Sequence, residues 1–264
     1  MTEASPDHAV DVAIVKEVLD VGDLPLWRHP DWVTRFPWLA QGTTGRGTDT
    51  EPFDLGSFGD VPAGTLMNRW HRLLRGTGQQ TAVHSRQVHG VEVAEWVEPI
   101  PPGLLYVSGY DAHLTNRLGV LLSVSIADCV PVFLVAEQSR ALALAHAGWR
   151  GAAGSIVEKV IGGLSRMSGE APETFWLHCG PAICGVCYEV GPEVHAGVHP
   201  FREVPSAPKP IDLRAAIASR AIAAGLLSER ISVSGLCTLC GPSDFFSHRG
   251  GSAGRQMGVL GRLA

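Results

Sequence analysis

The chain has 264 residues, 45% of them hydrophobic, a formal net charge of -5 and a pI near 6.1. This size and apolar content support one full core, and the acidic balance excludes the basic face of a nucleic-acid-binding protein. The longest apolar stretch, Leu118 to Ile126, is too short to span a membrane.

No segment has a signal-peptide layout, so a cytoplasmic location is expected. In that compartment six cysteines point to metal binding, catalysis or burial rather than disulfides.

Residues 1 to 40 read as a peripheral lead-in, a valine-rich piece from Val10 to Val21 followed by Trp27, Trp32 and Trp38 among prolines. The rest, 41 to 264, reads as the main domain. Gly42 to Gly64 is rich in Gly, Thr, Asp and Pro and predicts a long loop, with Arg46 as its basic residue. A helix is expected from about Thr65 to Leu74. Strands are expected over 81–88, 91–97, 119–126, 130–136 and 141–146.

The loop Glu137-Gln138-Ser139-Arg140 predicts a hairpin between the last two strands. If Ala136 faces Ala141, His146 faces Pro131 and lies two residues from Cys129, so both could reach one ion. A helix over 152–164 follows, its N-terminus aimed at these residues as an anion seat beside Arg150. Strands near 174–179 and 231–234, and a helix over 213–224 with Asp212 as N-cap and Gly225 beyond its end, complete an α/β pattern.

Three residues stand out chemically: His89 in Gln-Val-His-Gly, Cys129 in Ala-Asp-Cys-Val-Pro and His146 in His-Ala-Gly-Trp-Arg-Gly. Two imidazoles and a thiolate suit a zinc-like ion, and three protein ligands leave a fourth position open, the mark of a catalytic site. Each residue alone also fits a dull role as a hydrogen-bonded histidine or buried thiol. Cys129 could instead be a nucleophile with His146 or His89 as its base.

Asp111 and Asp128 could orient the histidines or act in acid-base chemistry. A second group, Cys184-x-x-Cys187 and Cys237-x-x-Cys240, fits either a four-cysteine structural zinc site or buried thiols, with an unusually long separation between the pairs. The absence of any His-x-His pair argues against a multicopper oxidase. No dinucleotide fingerprint or Walker A loop is present.

These motifs continue in order with Asp-Ala-His-Leu-Thr (111–115), Gly-Pro-Ala-Ile (180–183), Cys-Tyr-Glu-Val-Gly (187–191), Asp-Leu-Arg (212–214), Cys-Thr (237–238) and Phe-Phe-Ser-His-Arg (245–249). Over about residues 40 to 260 the chain closely resembles the family once called multicopper polyphenol oxidases or laccase-domain proteins. That family is now regarded as purine nucleoside phosphorylases with adenosine deaminase and methylthioadenosine phosphorylase activity.

The resemblance implies a layered α/β/β/α sandwich of the cysteine-hydrolase-like type, and zinc held by His89, Cys129 and His146, with copper as the older alternative. It implies purine nucleoside and phosphate as substrates, Arg46, Arg150 and Arg249 as phosphate-binding residues, and Asp111, His113 and Asp128 as catalytic candidates. The chain departs from the family pattern in its Thr43-Thr44-Gly45-Arg46-Gly47 segment and at Gly250, where a second arginine often follows.

Overall fold

The computed structural model describes residues 11–20, 22–57, 59–241 and 244–263. Its strands, in chain order, are β1 (Ala13–Val15), β2 (Val18–Leu19), β3 (Leu26–Arg28), β4 (Leu39–Thr44), β5 (Thr81–Arg86), β6 (Val93–Trp96), β7 (Gly103–Ser108) and β8 (Ala112–Thr115). They continue with β9 (Val120–Ile126), β10 (Val130–Ala136), β11 (Leu142–Ala147), β12 (Phe175–Cys179), β13 (Glu189–Val190), β14 (Lys209–Pro210), β15 (Ile231–Ser234) and β16 (Gln256–Arg262). The helices are α1 (Pro30–Arg35), α2 (Ala63–Gly76), α3 (Trp149–Ala153), α4 (Ile156–Ser168), α5 (Pro192–Val198) and α6 (Leu213–Ala223).

Two seven-stranded mixed sheets carry the architecture. The first has the order β1-β15-β12-β10-β11-β8-β6 and the second β2-β3-β4-β16-β9-β5-β7. The N-terminal lead-in supplies edge strand β1 to the first sheet, and edge strand β2 with its neighbour β3 to the second. Val10 and Val21, which bound its valine-rich piece, lie outside the described residues.

Period-2 alternation sorts the central hairpin between two cores. Val130, Val132 and Leu134 of β10 and Ala143, Ala145 and Ala147 of β11 join one cluster with Ile156, Val160 and Leu164 of α4 and Ile217 of α6. Phe133 and Val135, with Leu142 and Leu144, join a second cluster with Leu122, Val124 and Leu260 of the other sheet. A third packs Trp70, Leu73 and Leu74 of α2 on Leu121, Met257 and Val259. Strands buried on both faces need apolar residues at every position, which is why β10 reads as an unbroken hydrophobic run.

The expected hairpin register is present, with Pro131 opposite His146 and the Ala136 N–H bonded to the Ala141 carbonyl at 3.0 Å. The helix after His146 differs from expectation. It is split into the single turn α3 and the longer α4 by Ser155, whose φ of 70° is left-handed and cannot continue a helix. Gly154 permits the break, since a Cβ there would lie 2.8 Å from the Val91 side chain. The dipole facing His146 is therefore that of one short turn, and the long helix begins beyond it. Asp212 caps α6 as expected, accepting from the Arg214 and Ala215 N–H groups, and Gly225 adopts a φ of 104°.

Candidate metal centre and its cavity

Topology brings the three candidate ligands to one edge. β5 and β9 run parallel as neighbours, so the turns leaving their C-terminal ends emerge together. The turn after β5 carries His89. The turn after β9 carries Cys129 as the chain crosses into β10 of the other sheet. His146 closes the set from the end of β11, on the same side as Cys129 because both share parity with the residues that face the second sheet.

The ligating atoms of His89, Cys129 and His146 lie within 4.8 Å of one another. The two imidazoles meet edge to face at 4.9 Å between centroids. His146 is buried, Cys129 half-buried and His89 exposed, so the cluster opens toward solvent on one side.

Asp111, fully buried, joins two of the ligands. Its Oδ2 accepts from the Val88 N–H at 3.1 Å and the Gly90 N–H at 2.8 Å, and its Oδ1 from the His89 N–H at 3.0 Å. His146 Nδ1 lies 2.9 Å from the same Oδ1. A carboxylate there fixes the proton on Nδ1 and leaves the Nε2 lone pair for the cluster. Burial pushes the Asp111 carboxyl up, but the His146 bond and the backbone N–H groups outweigh it and hold it below the usual carboxylate range.

Burial also raises the Cys129 thiol, yet the facing His146 and hydrogen bonds from both histidines bring it down to about 6. His146 moves oppositely: burial lowers it, but the Cys129 thiolate and Asp111 raise it to about 9. Without a cation the pair is a thiolate facing an imidazolium. His89, Cys129 and His146 would hold a divalent soft ion, which would take the place of that proton and meet a preformed thiolate.

The donor set fits such an ion, and the surrounding space is kept for it. A Cβ on Gly148 would stand 3.0 Å from Cys129 Sγ and 3.2 Å from His89 Cδ2.

A cavity of about 350 Å³ lies over the cluster, with His84, Gln87, Ser125, His248 and Arg255 among its walls. Gln87 is pinned twice to Ser125, donating to its carbonyl at 2.9 Å and accepting from its N–H at 2.7 Å. Arg255 is anchored through Nη1 on the carbonyls of Ala253 and Gly254 at 2.9 and 2.8 Å.

The other residues singled out from sequence stand further back. Asp128 accepts from the Thr238 hydroxyl at 2.6 Å and the Arg249 N–H at 2.7 Å, which holds the turn that presents Cys129. His113 is fully buried, accepts from the Trp96 indole at 3.1 Å, and is lowered to about 3 by that burial. Arg249 donates from both Nη atoms to the Glu189 carbonyl, Arg150 lies over the Trp149 ring at 4.3 Å, and Arg46 pairs with Asp49 at 3.0 Å.

None of these three arginines is among the residues lining the cavity, whereas Arg255 and His248 are. Sequence reasoning gave neither a role, although His248 stands in the Phe-Phe-Ser-His-Arg motif. The signal for Arg255 was its place directly after Gly254, at the mouth of the last apolar run.

The chain belongs to the multi-copper polyphenol oxidoreductase laccase family, whose model matches residues 44–263. It is 34% identical over 251 residues to a Xylella fastidiosa protein named purine nucleoside phosphorylase, an alignment covering 84% of this chain and 93% of that one. A Deinococcus radiodurans protein of the same name is 33% identical, with 90% and 93% covered. A protein named adenosine deaminase RL5, from an unknown prokaryotic organism, is 36% identical over 54% of this chain and 58% of its own length.

The crystal structure of YlmD from Geobacillus stearothermophilus superposes with a TM-score of 0.82 at 26% identity, covering 94% of this chain and 100% of that chain. The protein is accordingly an enzyme of this kind. Among the described residues, no helix is long and apolar enough to cross a membrane.

Proposed function

We propose that the protein is a zinc-dependent purine nucleoside phosphorylase, converting adenosine, inosine, guanosine or methylthioadenosine to the free base and ribose 1-phosphate, with adenosine deamination as a second activity of the same cavity. The observation that carries this is the three-ligand His89, Cys129 and His146 cluster opening onto a cavity of nucleoside size. The relatives' names supply the substrate class. We assign the catalytic unit to residues 41–264. Helices lying against the outer faces of the paired sheets favour the α/β/β/α sandwich.

In phosphorolysis a phosphate oxygen bonds to C1′ of the ribose as the bond from C1′ to the purine nitrogen breaks, its electron pair leaving with the base. A zinc ion, when bound, supplies Lewis acidity or an acidified water at the open position. The chain's own groups then have distinct tasks. Arg255, fixed on the cavity wall, receives the phosphate, with the exposed Arg150 as a second cation four residues from His146. Asp111 holds His146 in one tautomer and His89 in its turn, and Asp128 holds the turn of Cys129. Arg249 secures the loop beside Asp128, Arg46 lies further out, and His113 is packed beneath the site.

The His₂Cys donor set would also suit a type 1 copper ion. A phenol oxidase further requires a histidine-rich oxygen-reducing cluster, and among the described residues the other candidate group is all cysteine. The test is incubation of purified protein with inosine, with and without phosphate, alongside a chelator-treated sample. Phosphate-dependent, chelator-sensitive release of hypoxanthine and ribose 1-phosphate is expected. No release of base from any purine nucleoside by zinc-replete protein would overturn the assignment, and stoichiometric copper with an intense colour would replace zinc.

A further inference from the structure

We propose that Cys184, Cys187, Cys237 and Cys240 hold a second, structural zinc ion that clips together two loops behind the catalytic cavity. Their four sulfurs lie within 4.8 Å of one another, and none is in a disulfide. Cys184 Sγ and Cys240 Sγ are 3.7 Å apart. A tetrahedron of zinc–sulfur bonds of about 2.3 Å places its sulfurs about 3.8 Å apart, whereas a disulfide would bring two of them to about 2.0 Å.

The backbone around the cluster is arranged for a thiolate. Cys237 Sγ accepts from the N–H groups of Cys184 at 3.3 Å, Leu239 at 3.4 Å and Cys240 at 3.4 Å. Three donors converging on one sulfur favour its anionic form, and four thiolates at this spacing need a cation between them. Each pair sits in its own tight turn. The Cys187 N–H returns to the Cys184 carbonyl at 3.0 Å, and Gly241 follows Cys240 where a Cβ would lie 2.8 Å from the Cys237 carbonyl oxygen. All four positions are filled by sulfur, leaving no open site, so the ion is structural and not catalytic.

The clip has a definite load. Its second turn includes Thr238, which donates to Asp128 beside Cys129, and its first leads into Glu189, which receives the Arg249 guanidinium. Pairing of Ala182 with Cys237 starts the junction, and 49 residues separate the two Cys pairs. A cross-link over that span removes much chain entropy from the unfolded state.

The experiment counts zinc in full-length wild-type protein by elemental analysis and reads its ligands by X-ray absorption. Two zinc ions per chain sharing five sulfurs are expected, four from this cluster and one from Cys129. Cys240→Ser should retain one zinc with one sulfur ligand, and Cys129→Ala one zinc with four. A single wild-type zinc with one sulfur, two zinc ions retained by Cys240→Ser, iron in the cluster, or a Cys184–Cys240 disulfide in peptide mapping would each overturn the proposal. The wild-type measurement decides even if a variant fails to fold.

Discussion

Asp111→Asn tests the heart of the site, because the carboxylate accepts four hydrogen bonds while fully buried. An amide has one accepting oxygen. Turned one way, its NH₂ faces the Val88 and Gly90 N–H groups; turned the other, it faces those of His89 and of His146 Nδ1. At least one part-buried backbone donor is stranded in either pose, at a cost of about 1–3 kcal/mol, and loss of the charge-assisted component adds to it. The expected destabilisation is about 2–5 kcal/mol, read as a lower urea midpoint with an unchanged slope.

Zinc affinity should fall about 10- to 100-fold, since His146 loses its fixed tautomer and His89 its turn. The acid limb should change as well. The folded-state pKa of Asp111 is lowered, so its contribution is complete above the unfolded carboxylate range and is lost as pH falls through the folded value; the variant lacks that loss. An Asp111→Asn protein within about 0.5 kcal/mol of wild type and with wild-type zinc affinity would refute this account of the site.

Three further predictions follow from the same geometry. Gly148→Ala places a methyl 3.0 Å from Cys129 Sγ and should cost most of the zinc at the His89, Cys129 and His146 site while circular dichroism stays native; normal zinc content there would show that the cradle is not tight. Burial lowers His29 to about 3, His84 to about 4 and His113 to about 3, so their stabilising effect is full above the unfolded histidine value near 6.5 and is lost as pH falls below it. Their combined slope approaches about 4 kcal/mol per pH unit, and a urea midpoint that stays level from pH 7 to 5 would contradict it. Arg255→Ala should raise the phosphate KM at least about tenfold with little change for the nucleoside; unchanged phosphate saturation would remove this arginine from the anion seat.

The hairpin was legible because a four-residue loop between apolar runs sets the register, and register sets which side chains share a face. That logic reached Cys129 and His146 but not their partners. β16 was missed because Gly258 and Gly261 dilute its apolar pattern, although the Gly258 position is needed where the Pro131 Cβ would sit 2.8 Å from an added methyl. The helix break at Ser155 is marked in the sequence only by the adjacent Gly154, since serine itself is an ordinary helix residue. Arg255 offered only its place after Gly254, and its proximity to the cluster arises from pairing of β16 with β9, across 130 residues of chain.

Both non-glycine residues with positive φ near the cluster lie at its ligands, His89 at 57° and Asp128 at 86°. A left-handed backbone costs roughly 1–2 kcal/mol at each such residue. Each is restrained by a buried aspartate. Asp111 gathers the three N–H groups of residues 88–90 as a carboxylate fills a nest, and Asp128 is tied through its own side chain to Thr238 and Arg249. Neither aspartate faces the cavity as a lining residue. The contacts of the two acids run to backbone N–H groups and to the His146 and Thr238 side chains, and they brace the strained turns that bring His89 and Cys129 to the same point as His146. Under the proposed function both aspartates serve by position, turning folding energy into the placement of His89 and Cys129.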